Sequence, residues 1–341
     1  LAEDHSTTLI LNAHGWRGVH ALEAIAHGDG PRTFADLVTQ EFQWSRSLVM
    51  LLLQYSPVYV PRLPLRLKFQ FLFSQMWYPL FSVFMALMFA MPIVALVCKE
   101  NFVAVTYPDF LAHFAPLSLT LMLMAYRWRS TGTFRPFDAK ILSWEAMFFL
   151  FARWPWALAG TIAAMRDRIT GSRVEFRITP KGASDVDPLP LRVLAPYGLL
   201  SVASVLPVLF AHDVGETRGF YVFATINAAL YSLLLLTIVI QHARENVVRF
   251  QSRTYRPALI TSLLVLIALP GLATVERGNE GLQSLAWGAG RLQLYETRYT
   301  AAGAGLGRGD LRKSTFSPRW IPTAQDNILS QNEGLKETET R

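Results

Sequence analysis

The sequence predicts a mainly α protein, a multi-span transmembrane helix bundle with interfacial helices, preceded by a short segment that folds in water. Three observations predict it. Of 341 residues, 52% are hydrophobic and only 17% are charged, against roughly 25% charged in soluble domains. The apolar residues fall into long runs instead of the spaced pattern of a soluble core. The basic residues, which give a net charge of +7 and a pI of about 9.6, sit beside those runs. In a soluble chain that pI would point to nucleic acid. Beside apolar runs it points to cytoplasmic anchoring, so a lipid bilayer is the expected partner and nucleic acid is not. The single cysteine, Cys98, excludes an internal disulfide framework and a cysteine-based zinc site.

A spanning helix needs about 20 apolar residues. Met76–Cys98 has no charge in 23 residues. Phe110–Tyr126 follows, with no Asp, Glu, Lys or Arg and His113 its single histidine. Val193–Ala211, Phe220–Ile240 and Ala258–Val275 complete five expected spans, the last shorter and carrying Pro270-Gly271. Backbone groups in lipid are satisfied within the segment, so each run is read as a helix. Loop charge sets orientation. Arg127, Arg129, Arg135 and Lys140 follow the second run, and Arg244, Arg249, Arg253 and Arg256 follow the fourth. The loops 99–109 and 212–219 carry only Lys99 and Arg218 as Lys or Arg. The basic loops are therefore expected inside, with residues 1–75 on the same side.

Two apolar stretches do not fit as spans. Trp144–Met165 contains Glu145, Arg153 and Pro155, and basic residues flank both ends. Leu63–Gln75 contains Arg66 and Lys68. Both are expected to lie in the membrane interface, with tryptophans at headgroup depth.

The first 60 residues read as the end of a domain. The chain opens on Leu1-Ala2-Glu3-Asp4 with no initiator Met or signal peptide, as the interior of a longer polypeptide does. Thr7–Leu11 is expected as a strand, Gly15–Gly18 as a turn, Val19–Leu22 as a second short strand, and Gly28–Pro31 as a loop. Thr33 is placed to cap a helix from Phe34 to about Tyr55, with Asp36 completing a capping box. Residues 276–341 are polar, rich in Gly, Thr, Arg and Glu, and have little periodicity; Ala301–Gly307 reads as a linker.

Four motifs occur in order. Ala2-Glu3-Asp4 resembles the (T/S/A)-E-D of family 2 glycosyltransferases of the cellulose synthase and curdlan synthase type. Gly15-Trp16-Arg17-Gly18 follows at a similar interval. Gln40-Glu41-Phe42-Gln43-Trp44 lies where that family has Q-x-x-R-W. Phe176-Arg177-Ile178-Thr179-Pro180-Lys181-Gly182 resembles its F-x-V-T-x-K gating loop, here 171–188. Each is weak alone; interleaved with the spans over residues 1–256, together they carry the resemblance.

What the resemblance implies is specific. Residues 1–60 would be the C-terminal end of an α/β (GT-A-like) glycosyltransferase domain, 61–275 a membrane channel, and 276–341 a tail. Asp4 would be the base that deprotonates the attacking sugar hydroxyl, with Glu3 its neighbour. Trp44 would stack on the acceptor sugar beside Gln40. Gln43 stands where the family has Arg, and Arg46 is the nearest cation to replace it. Phe176, Thr179 and Lys181 would move over the site, Lys181 towards the donor diphosphate. The reaction would polymerise a β-glucan from a UDP-sugar, UDP-glucose first among them, at the inner (plasma) membrane and thread it outward. Periplasmic or membrane accessory subunits are compatible partners. Mg²⁺ or Mn²⁺ would neutralise the leaving diphosphate, on aspartates expected ahead of this chain. The rival readings are a chitin- or hyaluronan-type synthase and a channel without chemistry. Two further patterns are set aside. Asp185-Val186-Asp187 mimics a metal-binding pair but follows the gating motif and is read as loop. Arg249 and Arg253 match the opening of a cyclic-di-GMP reader, but its companion motif is missing, so they are read as anchors.

Overall fold

The structure is a computed structural model. It describes residues 2–19, 21, 24, 28, 30–31, 33–102, 107–172, 189–246, 255–287, 291–300 and 312–321. The chain divides into two compact units. One comprises Leu1–Ile93, Leu142–Leu206 and Thr225–Leu272, the other Val94–Ile141, Pro207–Ala224 and Ala273–Arg341.

The first element corrects an expectation. Thr7–Leu11 is not a strand but part of helix α1, Glu3–Ala13. The β-branched Thr7, Thr8 and Ile10 suggested extended chain. The helix absorbs the hydroxyls instead: Ser6 Oγ donates to the Glu3 carbonyl and Thr8 Oγ1 to that of Asp4. Leu9, fully buried, packs with Val60, Leu63 and Phe71. Gly15 ends the helix at φ 90°. There the Trp16 N–H donates to the Leu11 carbonyl and the Gly15 N–H to that of Asn12, the paired bonds of a Schellman stop. Glycine is required because a side chain is strained at that φ. The expected turn at Gly15–Gly18 is thus a helix terminator. Val19 and Ala21 lie outside any strand, and His20 and Leu22 fall outside the described residues.

Helix α2, Phe34–Gln54, begins where the capping box placed it. Thr33 Oγ1 accepts from the Asp36 N–H, and Asp36 Oδ2 accepts from the Thr33 N–H. A short helix α3, Ser56–Tyr59, and a 3₁₀ turn, Val60–Arg62, lead to α4, Leu65–Cys98. Here a second expectation changes. No separate interfacial helix precedes the first run; Leu65–Gln75 continues into it as one helix of 34 residues. Pro64 starts the helix, and nothing between Leu65 and Met76 breaks it, because Arg66 and Lys68 are good helix formers.

Helices α5 (Tyr107–Ser130), α6 (Trp144–Thr170), α7 (Leu191–Phe210), α8 (Phe220–Asn246) and α9 (Tyr255–Trp287) follow. Among the described residues, six segments are long and apolar enough to cross a membrane: Leu65–Cys98, Phe110–Ser130, Trp144–Thr170, Leu191–Phe210, Gly215–Arg244 and Ile260–Leu285. Five hold the expected runs; the sixth is α6. This is the helix content of a multi-pass membrane protein. α9 also runs unbroken through Pro270-Gly271, well beyond the expected end at Val275. In the tail, where no strands were expected, β1 (Arg291–Thr300) pairs antiparallel with β2 (Arg312–Ile321), Leu292 opposite Trp320 and Thr300 opposite Arg312.

In the first unit the core gathers Trp154, Leu194, Tyr197, Tyr231, Leu234 and Leu263. Each buried aromatic polar tip has a partner. Trp154 Nε1 donates to Tyr231 Oη at 2.6 Å, Trp156 Nε1 to Tyr197 Oη at 2.9 Å, and Tyr197 Oη to the Ala152 carbonyl at 2.6 Å. Ser201 bonds the Ala228 carbonyl, and Ser232 that of Leu266. Such hydroxyls join apolar helices where no hydrophobic difference draws them together.

Candidate functional site

Helix α2 carries the Gln40–Trp44 motif, and α6 holds it. Their contacts advance together along both chains, so the helices run parallel. Glu41 meets Arg153, Ser45 meets Ala157 and Thr161, and Arg46 meets Asp167. Small residues allow the close approach. A Cβ on Gly160 would stand 2.5 Å from the Phe42 carbonyl oxygen and 2.9 Å from Ser45 Cβ. Ser45 Oγ fills the remaining polar need by donating to the Ala157 carbonyl at 2.6 Å.

Two ion pairs bracket this seam. Arg153 donates through Nε to Glu41 Oε2 at 2.9 Å, and through Nη2 to Tyr78 Oη at 3.2 Å. Burial pushes the Glu41 carboxyl up, against the pull of Arg153. Arg46 directs Nε and Nη2 to Asp167 Oδ2 at 2.6 and 2.5 Å. The Asp167 side chain is 2% exposed and that of Arg46 14%. Arg46 is therefore engaged within the protein. Glu41 and Asp167, which no sequence pattern singled out, are its principal polar features.

The other motif residues are placed as follows. Trp44 is exposed at 44%, Gln40 is half-buried, and Gln43 is buried with no hydrogen-bond partner for Oε1 among the described residues. Asp167 lies three residues before the end of α6, which Gly171 closes at φ 69°. Phe176, Thr179 and Lys181, with Asp185 and Asp187, lie outside the described residues, as do Arg249 and Arg253. The gating expectation itself is therefore untouched by the described geometry.

Glu3 and Asp4 occupy the first turn of α1, both exposed. Asp4 Oδ1 accepts the His5 N–H at 2.7 Å. Neither carboxylate bonds Gln40 or Trp44 among the described residues. α1 rests instead on the Ser56–Arg62 segment and is tied to α4 by His5. Ser56 Oγ donates to Gln75 Oε1 at 2.5 Å, which leaves the Gln75 amide NH₂ facing His5 Nε2 at 3.1 Å. His5 must accept there, so it is the neutral Nδ1–H tautomer. Its ring meets Phe71 edge-on at 5.3 Å.

No protein-family model, no curated protein and no solved structure matches this chain.

The His5 tie has a pH consequence. Burial lowers the His5 pKa below its ordinary 6.5, outweighing the upward pull of Asp4. The unfolded chain then takes up the proton first, so stability is full above pH 6.5 and declines as pH falls below it. Thermal unfolding of the detergent-solubilised protein is expected to show a lower midpoint on acidification from about pH 7.5 to about pH 5.5. The decline should be smaller in His5→Gln; an equal decline would assign the effect elsewhere. Among the described residues no three His, Cys, Asp or Glu side chains gather as metal ligands.

Proposed function

We propose that this chain is the membrane-channel half of a processive inverting glycosyltransferase that polymerises a β-glucan from a UDP-sugar, UDP-glucose first among them. One observation carries the reading furthest. The helix bearing Gln40 and Trp44 is clamped along α6, and α6 leads within a few residues into the Phe176–Lys181 motif. The Phe176–Lys181 motif follows the end of α6 closely in sequence, which supports acceptor binding and loop closure on a common site. The exposed Trp44 face offers a stacking platform for a sugar ring. α6 itself, with Glu41 and Arg46 of α2 bound along one side, would lie in the cytoplasmic interface of the inner membrane, leaving five spans for the channel. A divalent cation would neutralise the leaving diphosphate.

Membranes from cells expressing the full-length protein, supplied with radiolabelled UDP-glucose, should form insoluble polymer. Trp44→Ala is expected to weaken acceptor retention about tenfold, equivalent to about 1.4 kcal/mol, and so shorten the product. UDP release without chain extension would sink the processive reading. Stronger competition by UDP-N-acetylglucosamine than by unlabelled UDP-glucose would move the donor to an N-acetylated sugar.

A further inference from the structure

We propose that Arg127–Lys140, where α5 ends, is a binding site for the phosphodiester headgroup of an anionic phospholipid. This inference is independent of the glycosyltransferase reading. The segment carries Arg127, Arg129, Arg135 and Lys140 against the single carboxylate of Asp138. Cations at a helix C-terminus complement its dipole, which accounts for Arg127 and Arg129 in the last turn of α5. It does not account for Arg135 and Lys140, which follow the helix.

The partner's chemistry follows from what accompanies the charge. Trp128 is 53% exposed and Phe137 62%, so large aromatic faces stand open among the cations. Arg135 lies over the Phe137 ring at 3.5 Å and Arg129 over Phe134 at 5.2 Å. The loop folds back on the helix end: Arg135 Nη1 donates to the Gly132 carbonyl, and Thr133 Oγ1 to that of Trp128. Nε and Nη2 of Arg129, the edge suited to two-pronged phosphate binding, have no hydrogen-bond partner among the described residues, and the side chain as a whole is only half-buried, so a rotation presents that edge to an anion. A cation so placed gains from an anion beside it. A soluble phosphate or nucleotide would satisfy the charge and leave the aromatics in water. An acidic protein surface would do likewise. A phospholipid satisfies both at once, because α5 is apolar enough to span and none of its spanning window is buried by protein. Its acyl chains would lie along α5 with the headgroup among the arginines.

The test uses the full-length protein in nanodiscs of phosphatidylcholine with increasing dibrominated phosphatidylglycerol, or dibrominated phosphatidylcholine as control. Trp128 emission is isolated as the difference from Trp128→Phe. Quenching per mole of brominated lipid is expected to be about tenfold stronger for the anionic lipid. Arg129→Gln should abolish the preference. Arg127→Gln with Lys140→Gln, which alters only exposed side chains, should reduce it to about threefold. Equal quenching by both lipids would overturn the proposal, as would a preference surviving in both variants. Loss of the preference on adding inorganic phosphate would also overturn it, reassigning the site to a soluble anion.

Discussion

Asp4→Asn is expected to reduce polymer elongation by about 10²- to 10⁴-fold, the usual worth of a general base. The substitution is chosen because it spares the fold. Asp4 is exposed in the first turn of α1, and among the described residues its carboxylate bonds through Oδ1, which accepts the His5 N–H. An asparagine Oδ1 accepts the same bond. What is lost is the ability to take a proton from the acceptor hydroxyl. Donor affinity should therefore remain, measured as UDP-glucose binding to the full-length protein, while incorporation falls. Glu3→Gln, one residue away and equally exposed, should change the rate by less than about threefold. Wild-type elongation by Asp4→Asn would remove Asp4 as the base, whereas no UDP-glucose turnover by the wild type itself would favour a channel without chemistry. Loss of both binding and elongation would instead mark a structural role for α1.

The contrast between Asp4 and Asp167 shows which features the sequence makes legible. The spans were readable because lipid imposes a run length that needs no partner: Met76–Cys98 is apolar whatever packs on it. The start of α2 was readable because Thr33 and Asp36 satisfy each other three residues apart. α1 was misread because its β-branched residues favour a strand locally. The helix is decided by one buried side chain, Leu9, against Val60, Leu63 and Phe71, contacts no window around Leu9 contains. Leu65–Gln75 was split from its span by two charges that a helix end tolerates at no cost. Arg153 read as a charge forbidding burial, yet Glu41, 112 positions earlier, neutralises it. Arg46 read as a free cation beside the Gln40–Trp44 motif, yet it belongs to Asp167. Pairings at that separation leave no periodic trace. The β1–β2 hairpin escaped for a related reason: Pro318 within β2 reads against a strand, and its partner Leu294 lies in another strand, outside any local window.

Removing Asp167 alone is expected to be more harmful than removing both partners of its ion pair. Asp167→Ala leaves the Arg46 guanidinium, largely buried, facing a dry helix seam, at a cost of about 3 kcal/mol. Arg46→Ala should cost less, about 2 kcal/mol, because Arg166 stands 3.7 Å from Asp167 Oδ1 and is exposed enough to swing towards it. The double variant Arg46→Met/Asp167→Leu should lie within about 1 kcal/mol of the wild type, since apolar replacements of similar volume forfeit the Coulomb term and the desolvation cost together. Chemical unfolding of the solubilised protein checks all three. Single variants each within about 0.5 kcal/mol of wild type would class the pair with exposed bridges. The double variant then separates two roles for Arg46. Both of its engaged nitrogens go to Asp167 Oδ2, so its task is to hold α2 against the end of α6, which Met and Leu side chains do by packing. On this view the KM for UDP-glucose stays unchanged in the double variant while the fold is preserved. A raised KM on an intact fold would instead give Arg46 a hand on the donor diphosphate, the role its position beside Gln43 first suggested.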